Sequence, residues 1–459
     1  MLCATSEACT TRSPLISLRE QLMLSAADAQ FVRRDSALPG LATMLDPEAF
    51  AAALTSFIPA IDPGSARIEY VRYKPGKNCI VAYRIGVAGM EVNLYAKAHP
   101  AFRRSPPSPR PLGPKRIVLQ EGAITVSSFP SDGKLKAVAE LVDPESRSGV
   151  LREVVPERPD LWAGTIKDLR YMPERRYVTQ LLAGGTAQAS LKVYIEREYE
   201  TVRRAKAFES RGPLRIARRL GSSDVHRVVS HEWLSGRLLS EFVLDPEMDL
   251  EAMGRTGAGL AELHSQQPTG LDRLTRRAEG ATLLSLSANL GFVLPHLSER
   301  FDTLARRLAS SLAEESPVYQ PIHGDFYAKQ VLLGENTVAL LDLDRAAYGD
   351  PAADLGLFVA HLEREALWGT LTAGRLEALR DALLEGYREA TRRPIPSRLE
   401  LYIGAGLFRL TPDPFRFRES SWPERTEAIL DRSETILRGP RRVTDAGRVG
   451  GDLPGTFDG

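Results

Sequence analysis

Residues 319–357 decide the fold, and they read YQPIHGDFYAKQVLLGENTVALLDLDRAAYGDPAADLGL. Two short apolar segments stand out in this stretch, 330–333 and 338–341, and each has the length of a β-strand. The four residues between them, Gly334-Glu-Asn-Thr337, are typical of a tight turn. The pattern therefore predicts a small β-hairpin, which fixes the direction of the chain on either side of it.

The hairpin gathers polar side chains at one end. His323-Gly-Asp325 precedes the first predicted strand. Gln330 begins that strand, and Asp342 follows the second one. In phosphoryl transfer, one carboxylate orients the attacking hydroxyl and accepts its proton, while further oxygen ligands hold Mg²⁺ against the phosphates. Asp325, Gln330 and Asp342 on one rigid scaffold are typical of that chemistry.

A weak internal repeat precedes this stretch. Each copy has a strand that contains Arg-Tyr, a tight turn with proline, a second strand, a turn with glycine, and a third strand that ends near a lysine. The first copy spans 68–97 and ends at Lys97, and the second spans 166–194 and carries Lys192. Chance recurrence of R-Y-x-P is the alternative, but the matched strand spacing favours a duplicated antiparallel meander.

The order of the remaining elements indicates two lobes. A strongly periodic helix is predicted after the second copy, at 196–209, and strands are predicted at 214–220 and 225–234. The chain then becomes mainly helical, with periodic helices predicted at 249–266 and 298–315. A small antiparallel sheet with one helix, followed by a helical half, is an α+β pattern.

The composition argues against several classes of protein. The chain has 459 residues, with Lys+Arg 60 against Asp+Glu 59, and its formal net charge of +1 argues against a nucleic-acid partner. Its cysteines, Cys3, Cys9 and Cys79, form neither a disulfide framework nor a zinc motif. No apolar run is long enough to cross a bilayer, and residues 1–12 lack the pattern of a signal peptide. We therefore expect a cytoplasmic protein that has no membrane partner.

We expect four regions along the chain. Residues 1–155 form an N-terminal α/β region with the first repeat, 156–236 form a small lobe and hinge, and 237–438 form a helical lobe with the catalytic loop. Residues 439–459 are poor in apolar side chains, so they predict a disordered tail. The proline-rich segment 105–114 is predicted to be a loop.

The motif H-G-D-x-x-x-x-[NQ], followed by L-D-x-D-x-A-x-x-G-D-P-x-x-D-L, resembles the aminoglycoside phosphotransferase and choline kinase family, relatives of the protein kinases. The resemblance covers residues 160–430 in round numbers. It implies a two-lobed, protein-kinase-like α+β fold with a small antiparallel-sheet N-lobe and a mainly helical C-lobe. The N-terminal region would add a partial duplicate of the small lobe. The resemblance also implies ATP and Mg²⁺ as cofactors.

The same resemblance assigns roles to the acidic residues. It makes Asp325 the catalytic base, and His323 a support for the loop that carries this base. Asp342 would be the principal Mg²⁺ ligand, in the position of the kinase D-F-G aspartate. Asp350 and Asp354 would brace the loop from behind. Asp344 would be either a second metal ligand or a local cap of the loop.

Gln330 departs from the family pattern, because most members have asparagine five positions after the catalytic aspartate. A glutamine amide oxygen can also coordinate Mg²⁺, with one more methylene of reach. Some relatives, including maltokinase-like sugar kinases, are similar at this position. We therefore interpret Gln330 as a metal ligand, and an inactive kinase fold is the alternative.

Lys192 ends the strand where a kinase lysine holds the α- and β-phosphates. Its acidic partner is expected in the following helix, where Glu196, Glu198 and Glu200 compete. Glu198 is favoured because it borders the apolar face of that helix. Lys97 in the first copy is interpreted as structural, since no acid-bearing helix or hinge follows it.

Two further segments are assigned to ATP. The turn 172–176, which reads MPERR, replaces a glycine-rich phosphate loop, so Arg175 and Arg176 are expected to meet phosphate oxygens directly. The segment EWLSG is similar to the hinge between the lobes of a kinase. The backbone of its residues Glu232 and Leu234 is therefore expected to meet the adenine.

We predict an ATP-dependent phosphotransferase that phosphorylates a hydroxyl or amine group of a small molecule, such as an aminoglycoside, a sugar or an amino alcohol. One alternative is a catalytically inactive binding or scaffolding module, and another is a kinase for Ser or Thr in a peptide. The sequence does not identify the residues that bind the acceptor, because Arg416 and Arg418 face either solvent or the substrate. His264 is typical of a packing histidine.

Overall fold

The computed structural model describes residues 24–100, 116–204, 208–245, 249–314, 316 and 318–438. Three predictions fall outside these residues: the loop at 105–114, the tail at 439–459, and the lack of a signal peptide at 1–12. Within the described ranges, no helix is long and apolar enough to span a lipid bilayer.

The strands form two large and two small sheets. The first large sheet contains β1 (Ile61–Lys74), β2 (Asn78–Val87), β3 (Met90–Ala98), β4 (Arg116–Leu119) and β5 (Ile124–Ser128). The second contains β6 (Thr165–Met172), β7 (Arg176–Ala183), β8 (Thr186–Tyr194), β10 (Arg219–Ser223) and β11 (Val228–Glu232), with β9 (Leu214–Arg215) outside it. The small sheets use β9, β12 (Arg237–Leu238), β13 (Gln320–Ile322), β14 (Val331–Leu333), β15 (Val338–Leu340) and β16 (Ala347–Gly349).

Helices precede both large sheets and make up most of the C-terminal half. The first five are α1 (Ala26–Arg34), α2 (Leu41–Leu45), α3 (Pro47–Leu54), α4 (Ala137–Val142) and α5 (Pro144–Val154). Then come α6 (Glu196–Arg204), α7 (Leu250–Ser265), α8 (Arg276–Val293), α9 (Ser298–Glu314) and α10 (Ala352–Leu367). The last four are α11 (Ala373–Thr391), α12 (Leu399–Leu410), α13 (Asp413–Arg416) and α14 (Trp422–Arg438).

Most of the predicted helix positions are confirmed. The helix predicted at 249–266 is α7, whose N-cap Asp249 accepts a hydrogen bond from the backbone N–H of Glu251. The helix predicted at 298–315 is α9. The helix predicted at 196–209 is α6, which is described only as far as Arg204 because 205–207 lie outside the described residues.

The two five-stranded sheets have the same topology. Their strand orders are β1-β2-β3-β5-β4 and β6-β7-β8-β11-β10, and all neighbouring strands are antiparallel. The register agrees as well. Lys97 on β3 lies opposite Ile80, Lys192 on β8 lies opposite Val178, and both partners are the third residue of their strand. The similarity indicated by the short repeat therefore extends to all five strands, as a duplicated sheet would require.

Each sheet is covered by its own helices. The first sheet shares one hydrophobic core with α1, α2 and α3, and with α8, α9 and α12 of the C-terminal half. The second sheet packs on α4 and α5, where Val150 and Leu151 are buried together with Tyr177 and Leu181. An apolar helix face needs an apolar surface to cover it, so α4 and α5 belong with the second sheet. The small lobe thus begins before α4, upstream of the boundary at 155 that the sequence suggested.

The predicted strand at 214–220 is two strands in different sheets. Leu214 and Arg215 form β9, which pairs in parallel with β15, whereas Arg219 begins β10 at the edge of the second sheet. The prediction of one strand was wrong, because the change of partner depends on strands that are distant in sequence. At this point the chain passes from the C-lobe back to the N-lobe.

The predicted β14–β15 hairpin is confirmed. Val331 lies opposite Leu340, and the turn closes through the backbone N–H of Gly334, which donates to the Thr337 carbonyl at 2.8 Å. β12 and β9 flank the hairpin in a four-stranded sheet of order β12-β14-β15-β9. β13 pairs with β16 in the remaining sheet, and this pairing fixes the chain just before Asp325.

Candidate active site

The loop after β13 is held through its backbone by a buried carboxylate. Asp354 on α10 accepts hydrogen bonds from the backbone N–H of His323 at 2.6 Å and of Gly324 at 2.8 Å. The His323 ring contacts the Leu341 carbonyl oxygen at 2.7 Å, which ties the loop to the end of β15. These bonds fix the direction in which the next residue, Asp325, leaves the loop.

His264 completes this support. Its Nε2 lies 3.0 Å from Asp354 Oδ2, and its Nδ1 lies 2.9 Å from the Tyr387 hydroxyl. Burial would raise the pKa of Asp354, but the hydrogen bond and charge of His264 hold it below its ordinary value. His264 is therefore buried and fully bonded, as expected of a packing histidine, and it also orients the carboxylate beneath the loop.

Two residues of the site adopt a left-handed backbone. Gly324 has φ +77°, and a Cβ there would collide with the carbonyl group of Arg345, so the position requires glycine. Asp342 has φ 59° and ψ 52°, which is uncommon for a residue with a side chain and costs about 1 kcal/mol. This conformation turns the chain sharply at the end of β15 and brings the Asp342 carboxylate against the second sheet.

Asp342 and Asp344 form a compact cluster with two cations of the second sheet. Lys192 Nζ lies 2.7 Å from Asp342 Oδ1 and 3.1 Å from Asp344 Oδ1. Arg176 Nη1 lies 3.0 Å from Asp342 Oδ1 and 2.7 Å from Asp344 Oδ2. The Tyr194 hydroxyl also donates to Asp344 Oδ2 at 2.9 Å. The structure thus brings together Asp342, Lys192 and Arg176, which the sequence placed around the phosphates.

The two carboxylates of the cluster differ in acidity. Burial alone would raise the pKa of Asp342, but Lys192 and Arg176 hold it well below its ordinary value. Burial raises the pKa of Asp344 against the pull of Lys192, and the negative charge of Asp342 adds to the rise. Of the two, Asp342 is therefore the carboxylate that stays ionised more readily.

Glu198 does not pair with Lys192, contrary to the prediction. Its Oε1 accepts a hydrogen bond from Arg175 Nε at 3.1 Å instead. Lys192 is already held between Asp342 and Asp344, whereas Arg175 lies in the adjacent turn, within reach of the first turn of α6. The acid of α6 therefore orders the arginine-rich turn and not the strand lysine.

Gln330 lies in the same cleft as Asp342. It is 7% exposed, and its carbonyl accepts a hydrogen bond from the backbone N–H of Leu341 at 2.8 Å. Its own N–H donates to the Tyr327 carbonyl at 2.8 Å. The backbone of Gln330 is therefore fixed at the start of the hairpin, and its side chain borders both cavities of the cleft.

A cavity of about 970 Å³ opens between the second sheet and the hairpin. Its walls are apolar in part, with Val178, Ala217, Leu332 and Leu340 among the lining residues. They also contain the charged cluster of Lys192, Arg176, Asp342 and Asp344. His231 also lines this cavity, and burial together with the charge of Lys192 lowers its pKa to about 3, so it is neutral. Such a cavity suits a ligand with a flat apolar part and a polyanionic part.

The predicted hinge lines this cavity, but the backbone N–H of one of the two residues predicted to meet the adenine is already bonded. The backbone N–H of Glu232 donates to the Arg218 carbonyl at 2.9 Å, and that of Trp233 donates to the Gln188 carbonyl at 3.1 Å. The Glu232 carboxylate accepts from the Arg218 N–H at 2.9 Å as well. These N–H groups are therefore used within the sheet, and Leu234 is the predicted hinge residue whose N–H has no partner among the described residues.

A second cavity of about 610 Å³ adjoins the first. The two share eight residues, which are Arg170, Arg176, Thr201, Val202, Tyr327, Gln330, Asp342 and Asp344. Asp325 lines the second cavity but not the first, and Arg345 Nη1 lies 3.9 Å from its Oδ1. The carboxylate predicted as a base therefore faces a separate space that meets the first cavity at the Asp342 cluster.

Among the residues of the second cavity that sequence reasoning missed are Tyr70, His361 and Arg409. Tyr70 comes from the duplicated first sheet, and no local signal places that sheet over the cleft. His361 stacks on Tyr327 with ring centroids 4.3 Å apart. Arg409 had a usable signal, because it stands in LELYIGAGLFRL, a helix whose only other charged residue is Glu400.

Asp350 occupies a different place from the one predicted. Its Oδ2 lies 2.6 Å from Arg276 Nη2 and 2.9 Å from Arg398 Nη2, and its Oδ1 accepts from the Ala352 N–H at 2.9 Å. It therefore fixes the start of α10 against α8 and α12 and does not touch the catalytic loop. Asp354, one turn further along α10, is the residue that holds the loop.

Comparison with known proteins points to the phosphotransferases. Residues 170–397 match the model of the phosphotransferase enzyme family, APH. The match agrees with the resemblance that the motif of this segment indicated. No curated protein matches the chain significantly.

Solved structures of the same class are similar to the chain at low identity. Aminoglycoside phosphotransferase APH(4)-Ia, a thermostable mutant in complex with AMP-PNP and hygromycin B, is 16% identical, with 60% of this chain and 93% of that chain covered and a TM-score of 0.43. A choline/ethanolamine kinase family protein from Mesorhizobium loti is 16% identical, with coverages of 64% and 95% and a TM-score of 0.42. Choline kinase from Cryptosporidium parvum Iowa II is 10% identical, with coverages of 64% and 96% and a TM-score of 0.44.

Proposed function

We propose that the protein transfers the γ-phosphoryl group of Mg²⁺-bound ATP to a hydroxyl or amine group of a small molecule. The observation that carries this proposal is the meeting of two cavities at one cluster of charges. The larger cavity has the apolar walls and the cations that a nucleotide needs. The smaller one contains Asp325 and borders Asp342 and Gln330. Use of ATP would agree with the cytoplasmic location expected from the sequence.

Asp325 would act as the base of the reaction. The acceptor oxygen or nitrogen forms a bond to the γ-phosphorus, the bond from that phosphorus to the β-phosphate oxygen breaks, and ADP leaves. The proton of the acceptor passes to the Asp325 carboxylate. Lys192 and Arg176 would bind phosphate oxygens, since in the present structure both cations lie against the carboxylates that flank the cleft. Arg175 would support them from the adjacent turn.

The donor atoms of the cleft fit Mg²⁺. No group of three His, Cys, Asp or Glu arranged as a metal site occurs in the described part of the chain. Mg²⁺ does not need one, because it commonly takes one or two carboxylates and completes its shell with water and phosphate oxygens. Asp342 and the amide of Gln330 would supply those ligands, and Asp344 would supply a third. The metal would neutralise the negative charge on the transferred phosphoryl group.

A small-molecule acceptor is favoured over a peptide by the walls of the second cavity. The Tyr70 ring of the first sheet meets the Phe417 ring, which follows α13, with centroids 5.6 Å apart. Both residues line the cavity, so this contact joins the first sheet and the helical lobe beside the space that would receive the acceptor. An extended peptide needs a groove that is open along its length, and the contact between Tyr70 and Phe417 narrows this space.

The test is Mg²⁺-dependent release of ADP from ATP with a panel of hydroxylated and amino compounds. We expect turnover with some of them, and we expect Asp325→Asn to reduce kcat by at least about 100-fold, because it removes the proton acceptor. Nucleotide affinity should stay within a few-fold of wild type in that variant. ATP binding without turnover, and unchanged by Asp325→Asn, would favour the binding-module alternative.

A further inference from the structure

Arg409 brings an unpaired charge to the acceptor side of the cleft. It lies near the end of α12, a helix that is otherwise mostly apolar and largely buried. Its side chain lines the 610 Å³ cavity and makes no hydrogen bond or ion pair with any other described residue. Burial lowers the pKa of Arg409, but an arginine keeps its charge at neutral pH. A charge in such a place is costly unless a ligand neutralises it.

The other charges of this space do not cancel that of Arg409. Asp413 is already paired twice, with Arg416 Nη1 at 3.2 Å from its Oδ1 and Arg364 Nη1 at 3.5 Å from its Oδ2. Asp325 faces Arg345 at 3.9 Å and also interacts with the charge of Arg409. On the acceptor side the three arginines Arg345, Arg409 and Arg416 thus outnumber the two acids Asp325 and Asp413. The local charge is positive before any substrate arrives.

His361 does not add to this charge. It lies in the same wall, and burial together with the charges of Arg364 and Arg409 lowers its pKa well below the ordinary value. Its ring is therefore neutral and stacks on Tyr327. The remaining wall is partly apolar, with Leu286, Leu357, Leu410 and Phe417 in contact with the cavity.

We propose that the acceptor is a hydroxyl compound that also carries an anionic group, a carboxylate or a phosphate ester, and that Arg409 binds this anion. The inference rests on the proposed phosphotransferase function and names its substrate class. The acceptor hydroxyl lies at Asp325, its carbon frame meets the apolar wall, and its anion pairs with the guanidinium, which can hold both oxygens of such a group at once. A polycationic acceptor is disfavoured, because it would meet Arg345, Arg409 and Arg416.

The test uses probes that share one frame and differ in charge. Glucuronate, glucose and glucosamine are an anion, a neutral compound and a cation on the same pyranose ring, and glucose 6-phosphate supplies the phosphate arm. ADP release and thermal unfolding are measured with each probe, the latter in the presence of Mg²⁺ and AMP-PNP. Methylphosphonate and acetate are added as minimal anions in the unfolding experiment, so that the shift in unfolding temperature does not depend on the sugar skeleton of the other probes.

We expect the anionic probes to be preferred in turnover or in stabilisation of the nucleotide-bound protein. In Arg409→Gln the KM or apparent Kd for these anions should rise at least about ten-fold, while values for neutral probes stay within two-fold. Arg306→Gln is the matched control, since Arg306 is exposed and pairs within α9. Preference for glucosamine or glucose, or anion binding that is unchanged in Arg409→Gln, overturns the inference.

The two proposals fail in distinguishable ways. Loss of anion preference while ATP still binds and turns over counts against the anionic acceptor only. If no anion stabilises the AMP-PNP complex, that also counts against it. Failure to bind ATP at all, in a wild-type protein that unfolds cooperatively, counts against the phosphotransferase function itself.

Discussion

Gln330 is where the chain departs from the motif it otherwise follows, and its position in the cleft makes the departure testable. The amide borders Asp342 and both cavities, and its backbone is fixed by Leu341 and Tyr327. A side chain this well placed can replace asparagine as an oxygen donor, provided that the extra methylene group is accommodated by the spacing of the cleft.

We expect Gln330→Asn to keep partial activity, because the ligand type is unchanged and only its reach is shorter. Gln330→Leu is similar in bulk but offers no oxygen, so it should lose far more activity and should need more Mg²⁺. The measurement is ADP release against Mg²⁺ concentration for both variants, with thermal unfolding to show that the fold is intact. Equal activity of the Leu variant and the wild type at limiting Mg²⁺ would mean that Gln330 only fills space.

At the scale of elements, the two duplicated sheets are joined at the arginine-rich turn. Lys97 Nζ of β3 lies 2.6 Å from Glu174 Oε2 in the turn between β6 and β7. Asp132 holds the same turn, since its Oδ2 accepts from the Glu174 N–H at 2.7 Å and from the Tyr171 hydroxyl at 2.9 Å. The residues that follow Glu174 are the arginines proposed to meet the phosphates. The first sheet therefore helps to position the second.

We expect Lys97→Met to raise the KM for ATP by about three- to ten-fold, because the loss of a half-buried ion pair worth about 1 kcal/mol loosens the turn. Lys192→Met should be far more damaging, since Lys192 contacts both Asp342 and Asp344 directly. Steady-state kinetics with varied ATP would measure both effects. Lys77→Met is the control, because Lys77 is an exposed lysine of the equivalent turn in the first sheet. Identical KM values for the Lys97 and Lys77 variants would show that the ion pair of Lys97 with the turn does not affect ATP binding.

A structural feature could be predicted from the sequence when its signal is local along the chain. The β14–β15 hairpin and the three-stranded meanders were predictable, because strand length and turn residues are local properties. The partner of Glu198 was not, since Lys192 and Arg175 are both within reach of α6 and only the packed structure selects one. The split of 214–220 and the early start of the small lobe depend on strands and helices that are distant in sequence. Asp350 and Asp354 look alike in the motif, and their different partners follow from the contacts of α10.

At the scale of the whole molecule, the first sheet and its helices share a hydrophobic core with the helical lobe, and two partly buried polar contacts fix their orientation. The Asp28 carboxylate on α1 accepts hydrogen bonds from Arg418 Nη1 at 2.9 Å and from Arg418 Nη2 at 2.5 Å, and the Asp28 side chain is 3% exposed. Arg34 donates to the carbonyls of Phe292 and Val293 at 3.2 and 2.7 Å. Arg418, which the sequence left between solvent and substrate, therefore has a structural role.

We expect Asp28→Ala to lower the free energy of unfolding by about 3 kcal/mol, because it leaves the Arg418 guanidinium without its buried partner. Urea unfolding followed by circular dichroism would measure the change. Asp160→Ala is a suitable comparison, since Asp160 forms an exposed pair with Arg158 and should change stability by less than about 1 kcal/mol. A similar loss in the two variants would show that the Asp28 contact does not hold the first sheet in place.

The contact between Lys97 and Glu174 couples the two sheets mechanically. Lys97 stands at the register position that Lys192 occupies in the second sheet, yet it contacts the turn of that sheet and no carboxylate cluster of its own. A substitution at Lys97 is therefore expected to change the geometry of the arginine-rich turn. Exchanging the two charges, in the double variant Lys97→Glu with Glu174→Lys, is expected to restore what either single change disturbs.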